Sequence, residues 1–503
     1  MRARRIVFTT RSLAAVLLIA SMFPLSGLAQ DVSQRADSLQ AGIQALETQT
    51  NELKSMMQEM RAEILRSRAE TAALRQELQA TREQLAAAAP SVQQDVQKLQ
   101  EDQDLLKAKV DQQYQTKVES ASRYRVRLSG MALFNLFQNN GTVDNIVFPT
   151  VAEQSQPAYY SNGNFGGSFR QSQIGLEAFG PDLWGARIRG NVQFDFAGGF
   201  TGVTDPVVFS LPRLRTGVVR LDWTKTSVVA GQDALFFAPL APSSIATVAV
   251  PPLAYSGNLW SWIPQLRVEH RFALADESNV SLQAGILDPM SGDASNPYSY
   301  DRPPDAGEAS RQPAYAVRTA WTQNASDRSM QFGVGGYYSR QNWGYHRDVD
   351  GWAATSDWRV PLSNRFELSG ELYRGRAIGG LGGGIGRTIL ASGAISDPLV
   401  RIKGLNAEGG WLQVKFQQTE KLEWNSAFGL DTVPAKDLHV FPFSPSSYNY
   451  SPVARNRSGF GNLIYRPRSD LLLSGEFRPI RTYSVRGTPW RATQVSLSMG
   501  VLF

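Results

Sequence analysis

Residues 184–198 read WGARIRGNVQFDFAG. Trp184, Ala186, Ile188, Gly190, Val192, Phe194 and Phe196 fall on one side of a period-two ribbon, and Gly185, Arg187, Arg189, Asn191, Gln193 and Asp195 fall on the other. Such alternation marks a β-strand. The fold turns on what the apolar side meets. In a soluble sandwich it packs into a core; in a membrane barrel it meets lipid and leaves the arginines lining water. One strand does not decide between these, but the rest of the chain does.

The amino terminus carries Arg2, Arg4, Arg5 and Arg11, then an apolar run from Leu13 to Phe23, then SGLAQ with Gly27 and Ala29 at small-x-small positions. This reads as a secretory signal peptide over residues 1–29, with the mature chain starting near Gln30. Pro24 ends a run already shorter than the ~20 apolar residues of a membrane-spanning helix. With no cysteine in 503 residues, disulfide frameworks, thiolate metal sites and Cys nucleophiles are excluded together. After the signal, no run of ~18 apolar residues predicts a helical membrane span.

From Val32 to Leu85 a heptad persists through Leu39, Ile43, Leu46, Leu53, Met57, Met60, Ile64, Leu74, Leu78 and Leu85, with Thr50, Ser67, Thr71 and Thr81 at the remaining seam positions. A coiled coil is expected over 30–89, its partner a second copy of the chain. Pro90 ends it, and Val92, Val96, Leu99, Leu106 and Val110 predict a short second helix and linker over 90–122. From residue 123 onward the period is two and the charge is basic: 36 Lys and Arg, 31 of them Arg, against 30 Asp and Glu.

Residues 123–503 contain sixteen alternating segments, from 123–138 through 168–180 and 184–197 to 490–503. Brief turns such as PDL, TKT, ADES, PLSN and PRS take turns with links that are generally long, among them 139–167, 237–263 and 375–406. A membrane barrel requires this pattern, with short periplasmic turns on one rim and long external loops on the other. The expected fold is therefore an all-β transmembrane barrel of about sixteen antiparallel strands, preceded by an α-helical coiled coil. Tyr124, Trp184, Trp223, Trp321, Trp358 and Tyr465 near strand ends suit interfacial girdles.

The last segment, WRATQVSLSMGVLF at 490–503, places Val495, Leu497, Met499, Val501 and Phe503 on one face. It resembles the carboxy-terminal insertion signal of bacterial outer-membrane barrels. Signal peptide, periplasmic coil, sixteen strands and a distinctive third link together resemble trimeric outer-membrane porins of the DcaP type, and more distantly the phosphate-selective porin O/P group. The local likenesses are FRQSQIGLEA, with Gln173 where Arg is usual, RIRGNVQFDF, VVAGQDALFF and PQLRVEH. The resemblance implies passive diffusion of small, often anionic solutes through a homotrimer in the outer membrane. The departure at Gln173 separates this chain from any inherited solute preference.

Polar faces turned inward bring Arg123, Arg125, Arg127, Arg187, Arg189, Arg220, Arg267, Arg271 and Arg318 to one lumen, as candidate pore-lining residues. Guanidinium stays charged and offers a planar fork to carboxylate or phosphate, so the expectation is anion preference. The bracing alternative pairs these arginines with Glu177, Asp195, Asp222, Glu269 and Glu371. The third long link, FAPLAPSSIATVAVPPLAYSGNLWSWIP, is nearly charge-free; it is expected to fold inward as a constriction with Ser243, Ser244, Thr247 and Tyr255 as lining candidates, or else to cap the mouth or contact another subunit.

No enzyme site is expected. His270, His346 and His439 are scattered, YHRDVDG at 345–351 stands without the other parts of a kinase or calcium site, and GGLGGGIG at 379–386 reads as mobile surface loop. No cofactor, metal or nucleic acid is expected; the expected partners are outer-membrane lipid, small solutes and further copies of the chain. A second reading makes the chain a structural tether, the barrel anchoring a coil that reaches toward the cell wall.

Overall fold

The computed structural model describes residues 72–73, 125–155, 162–199, 210–275, 277–292, 302–325, 328–441, 453–485, 487 and 489–503. Apart from Ala72 and Ala73, which are helical, the expected signal peptide, coiled coil and second helix, together with Arg123 and Tyr124, lie outside the described residues. The described strands are β1 (Arg125–Asn140), β2 (Gly163–Ser168), β3 (Gln173–Leu183), β4 (Ala186–Asp195), β5 (Arg213–Asp222), β6 (Thr226–Ala234), β7 (Trp262–Ala275), β8 (Ser278–Leu287), β9 (Ala314–Ala325) and β10 (Arg328–Asn342). They continue with β11 (Asp348–Pro361), β12 (Phe366–Arg376), β13 (Ile389–Ala391), β14 (Ile402–Gly404), β15 (Asn406–Gln417), β16 (Leu422–Thr432), β17 (Val453–Arg468), β18 (Leu471–Ser484) and β19 (Pro489–Leu502).

Every pairing between the described strands is antiparallel, and β13 with β14 forms a separate ribbon inside the link 377–405. The other seventeen strands make one sheet. Because β2 pairs with Asn135–Asn140 and β3 with Arg125–Met131 of the same β1, those two are halves of one stave interrupted at residues 169–172. The sheet therefore has sixteen staves, and β19 closes it on β1, with Met131 opposite Leu502 and Asn140 opposite Thr493. Closure satisfies every strand edge, which is what a bilayer demands of backbone groups.

Side-chain direction follows the period. On β19, Val495, Leu497, Met499 and Val501 are 42–61% exposed on the outer face, whereas Gln494, Ser496 and Ser498 are at most 5% exposed inside. The stretch 184–198 behaves the same way from Ala186 onward: Val192 and Phe194 face out, Asp195 is fully buried inside. Trp184 and Gly185 are not strand but the tight turn joining β3 to β4, and Trp184 takes a left-handed φ of 51°. At this rim a belt of outward aromatics includes the stacked pairs Trp321–Phe332 and Phe366–Phe416.

The connections from β3 to β4, β5 to β6, β7 to β8, β9 to β10, β11 to β12, β15 to β16 and β17 to β18 are each two to four residues long and share one rim. The opposite rim carries the longer links, although those at 343–347 and 485–488 are themselves brief. Residues 379–386 correct the expectation of a mobile surface loop. Gly379, Leu381, Gly383 and Gly384 are buried in tight 3-10 turns, and Leu381 accepts a hydrogen bond from the Trp260 N–H.

Candidate functional site: the barrel interior

The link between β6 and β7, residues 235–261, passes inside the barrel and reaches strands far around the wall. Gln413 on β15 accepts from the Ser243 N–H at 2.5 Å and donates to its hydroxyl at 3.3 Å. Asn462 on β17 donates to the Ser243 carbonyl at 2.9 Å, the Ser244 hydroxyl donates to Glu476 on β18 at 2.5 Å, and Arg478 donates to the Thr247 hydroxyl at 3.0 Å. Gln171, in the break between β2 and β3, accepts from the Val248 and Ala249 N–H groups and donates to the Ala246 carbonyl at 2.7 Å. Asn456 donates to the Tyr255 carbonyl at 3.0 Å. The hydroxyls of Ser244 and Thr247 thus serve as anchors to the wall. Tyr255 has a left-handed φ of 57°, packs edge-on to Trp260, and has its phenol pKa pushed up by burial, with the Asp144 carboxylate adding to the effect.

Its apolar composition has a packing cause. Leu240 and Leu253 lie against Trp411, Ala427 and Phe460, and Phe237 stacks on Tyr337 at 5.3 Å, all from the inner wall. Inward positions here are aromatic because they meet protein, not water. The approach is close enough that a Cβ on Gly429 would lie 2.0 Å from the Ser256 carbonyl oxygen.

The arginines divide into two groups. Arg318 is 5% exposed and holds both oxygens of Asp357. Arg267 bridges Asp233 and Glu269 at 2.8 Å each, and Arg220 bridges Asp222 at 2.6 Å and Glu269 at 2.7 Å. Arg127 and Arg189 are looser, 3.6 Å from Glu177 and 3.9 Å from Asp222. Arg125, Arg187 and Arg271 make no ion pair among the described residues. Arg187, Arg189, Arg220 and Arg271 converge with Asp222 and Trp223 on one recess of about 440 Å³ near the short-turn rim. Glu177, Asp222 and Glu269 take the bracing role set out from the sequence; Asp195 braces other arginines, and Glu371, fully buried, makes no ion pair among the described residues.

Period-two reasoning missed Arg213 and Arg215. Both bind Asp195, at 2.6 and 3.0 Å, and both donate to the inner link, at the carbonyls of Ala249 and Val248. Arg220 and Arg215 cannot share a face in a regular strand. A register shift between Gln193 and Phe194 in the β4–β5 pairing lets both point inward, as a β-bulge does. The Trp262 ring lies under both guanidiniums, 5.1 and 4.6 Å from their centres.

A scan against protein-family models finds no match, and a search of curated proteins finds none. Among solved structures, the outer membrane channel DcaP of Acinetobacter baumannii aligns with a TM-score of 0.58 at 15% identity, over 77% of this chain and 100% of that one. OprB of Pseudomonas putida aligns at 0.46 and 12% identity, over 75% and 94%, and OmpT of Vibrio cholerae at 0.44 and 8%, over 76% and 99%. The chain shares the barrel fold of the DcaP channel.

Proposed function

We propose that this chain is an outer-membrane porin through which small hydrophilic solutes diffuse passively, with anions preferred, and that it works as a homotrimer. Residues 235–261 form the constriction. Their path across the lumen narrows the passage, with Ser243, Ser244 and Thr247 fixing it to the wall and Tyr255 closing its inner end.

The observation that carries the anion preference is the inward charge balance of β4 to β7. Four acids, Asp195, Asp222, Asp233 and Glu269, face seven arginines, at positions 187, 189, 213, 215, 220, 267 and 271. Each acid is held by at least one arginine, while Arg187 and Arg271 keep their charge uncompensated beside the recess. Fixed charge within low-dielectric walls focuses potential along a path and raises the local concentration of the opposite ion.

Single-channel recording in planar bilayers tests this directly. Discrete conductance steps are expected, with a reversal potential of anion-selective sign under a salt gradient. A silent barrel would remove the porin reading, and a cation-selective potential would remove the preference alone.

A further inference from the structure

We propose that the outer wall formed by β17, β18 and β19 binds the phosphate headgroup of a membrane lipid at the height of the long-loop rim. The site is built by Arg455, Arg457, Arg481 and Arg491 around Tyr483.

The register brings these residues together. Arg457 lies opposite Arg481, Arg481 opposite Arg491, and Arg455 opposite Tyr483. All share the parity of Phe477, Val495 and Leu497, so all belong to the outer face. The guanidiniums of Arg455, Arg457 and Arg481 sit 6.0, 5.5 and 5.2 Å from the Tyr483 ring centre, so one aromatic ring gathers three cations. Like charges directly opposite on neighbouring strands destabilise a sheet, and none of these four arginines makes an ion pair among the described residues. The Nε of Arg457 is moreover buried without a partner.

Elsewhere on the same rim the outward charges are balanced. Arg340 pairs with Asp348 at 2.9 Å and approaches Asp350 at 4.0 Å, and Arg374 stands opposite Glu408. Glu408 is also the nearest outward acid along the row of Arg455, with Thr432 between them. The adjoining link 442–452 contains no Asp or Glu. The excess is confined to β17–β19.

Position selects the occupant. Arg481 and Arg491 each stand four residues above an exposed apolar side chain, Phe477 or Val495, which is about 14 Å at the rise of a strand. A lipid whose acyl chains cover Phe477, Val495 and Leu497 places its phosphate among the arginines, where several guanidiniums make charge-assisted, bidentate contacts.

The test uses the full chain, delipidated in detergent and returned to phosphatidylcholine vesicles doped with diphosphoryl lipid A or with its dephosphorylated form. Bound lipid is then counted by native mass spectrometry. Wild type is expected to retain the phosphorylated lipid about tenfold better, and R457Q/R481Q to lose that margin while R340Q keeps it. Heat-modifiable gel migration and unchanged conductance show that the variants fold. Should the double variant fail to fold, R491Q is expected to lose about threefold by itself. Equal retention of both lipids overturns the proposal. So does displacement by equimolar inorganic phosphate, which would mark a free-ion site, and so does loss of oligomer mass in R457Q/R481Q with lipid retention intact, which would mark a contact between copies. The proposal rests on membrane placement alone, so a silent channel leaves it standing.

Discussion

Arg318 on β9 and Asp357 on β11 form a two-pronged ion pair across a strand that separates them, with Nε to Oδ2 at 2.9 Å and a terminal nitrogen to Oδ1 at 2.7 Å. The intervening β10 puts Gly335 opposite Arg318 and Gly333 opposite Asp357. A Cβ on Gly333 would fall 2.3 Å from the Asp357 carboxylate and 2.6 Å from the guanidinium. The glycine is there because the pair passes over it.

Removing one partner should cost more than removing both. Arg318→Gln leaves Asp357 buried and unpaired, a loss of about 3–5 kcal/mol, whereas Arg318→Met with Asp357→Leu should be nearly neutral. Gly333→Ala is expected to behave like the single removal. Urea unfolding of the barrel in vesicles reads the differences; equal effects of single and double variants would refute the account.

Releasing the inner link should widen the passage. Gln171→Ala removes three hydrogen bonds to residues 246–249, and Gly429→Ala pushes on Ser256 from the opposite wall. Both variants are expected to raise single-channel conductance, by about twofold if the ordering of the link depends on these few bonds of about 1 kcal/mol each. Conductance identical to wild type would show that the link does not limit flow.

Reversing the uncompensated charges should reverse selectivity. Arg187→Glu with Arg271→Glu places two acids at the recess without breaking an ion pair, so the reversal potential should move toward cations while stability stays within about 0.5 kcal/mol. Arg220→Gln, which removes the bridge between Asp222 and Glu269, is expected to destabilise as well. A potential that ignores the first substitution would locate the selectivity elsewhere.

The outer face is testable by depth. Leu497, 61% exposed on β19, lies within the apolar band, and Leu497→Arg should cost about 2–4 kcal/mol of folding into vesicles. If the variant folds as readily in water without detergent, the face does not meet hydrocarbon.

Deleting residues 31–118 tests the heptad. Loss of trimer mass in detergent would assign assembly to the coil, and an unchanged mass would assign it to the barrel wall.

The strands were legible in the sequence because alternation and turn chemistry are local. The expected strand 490–503 differs from β19 by one residue at each end. Face was legible for the same reason: Arg187, Arg189, Arg267 and Arg318 point inward, and Val495, Leu497, Met499 and Val501 point outward. What no local pattern carries is the break at 169–172 that turns Gln171 inward, since Gly163–Ser168 hides as a strand within the first long link. Nor does it carry the bulge that lets Arg213 and Arg215 share the inner face with Arg220.

The interior shows the division most plainly. Tyr337, Tyr373, Trp411 and Phe460 stand at inward positions where water would favour polar side chains, and GGLGGGIG is buried where its composition suggests a surface. Sequence alone fixed the direction in which each side chain leaves the backbone, because that direction depends on its own dihedrals and a period of two. Only the closed barrel decided what each side chain meets, because Ser243 finds Gln413 across 170 residues of chain and a contact of that separation has no local signature.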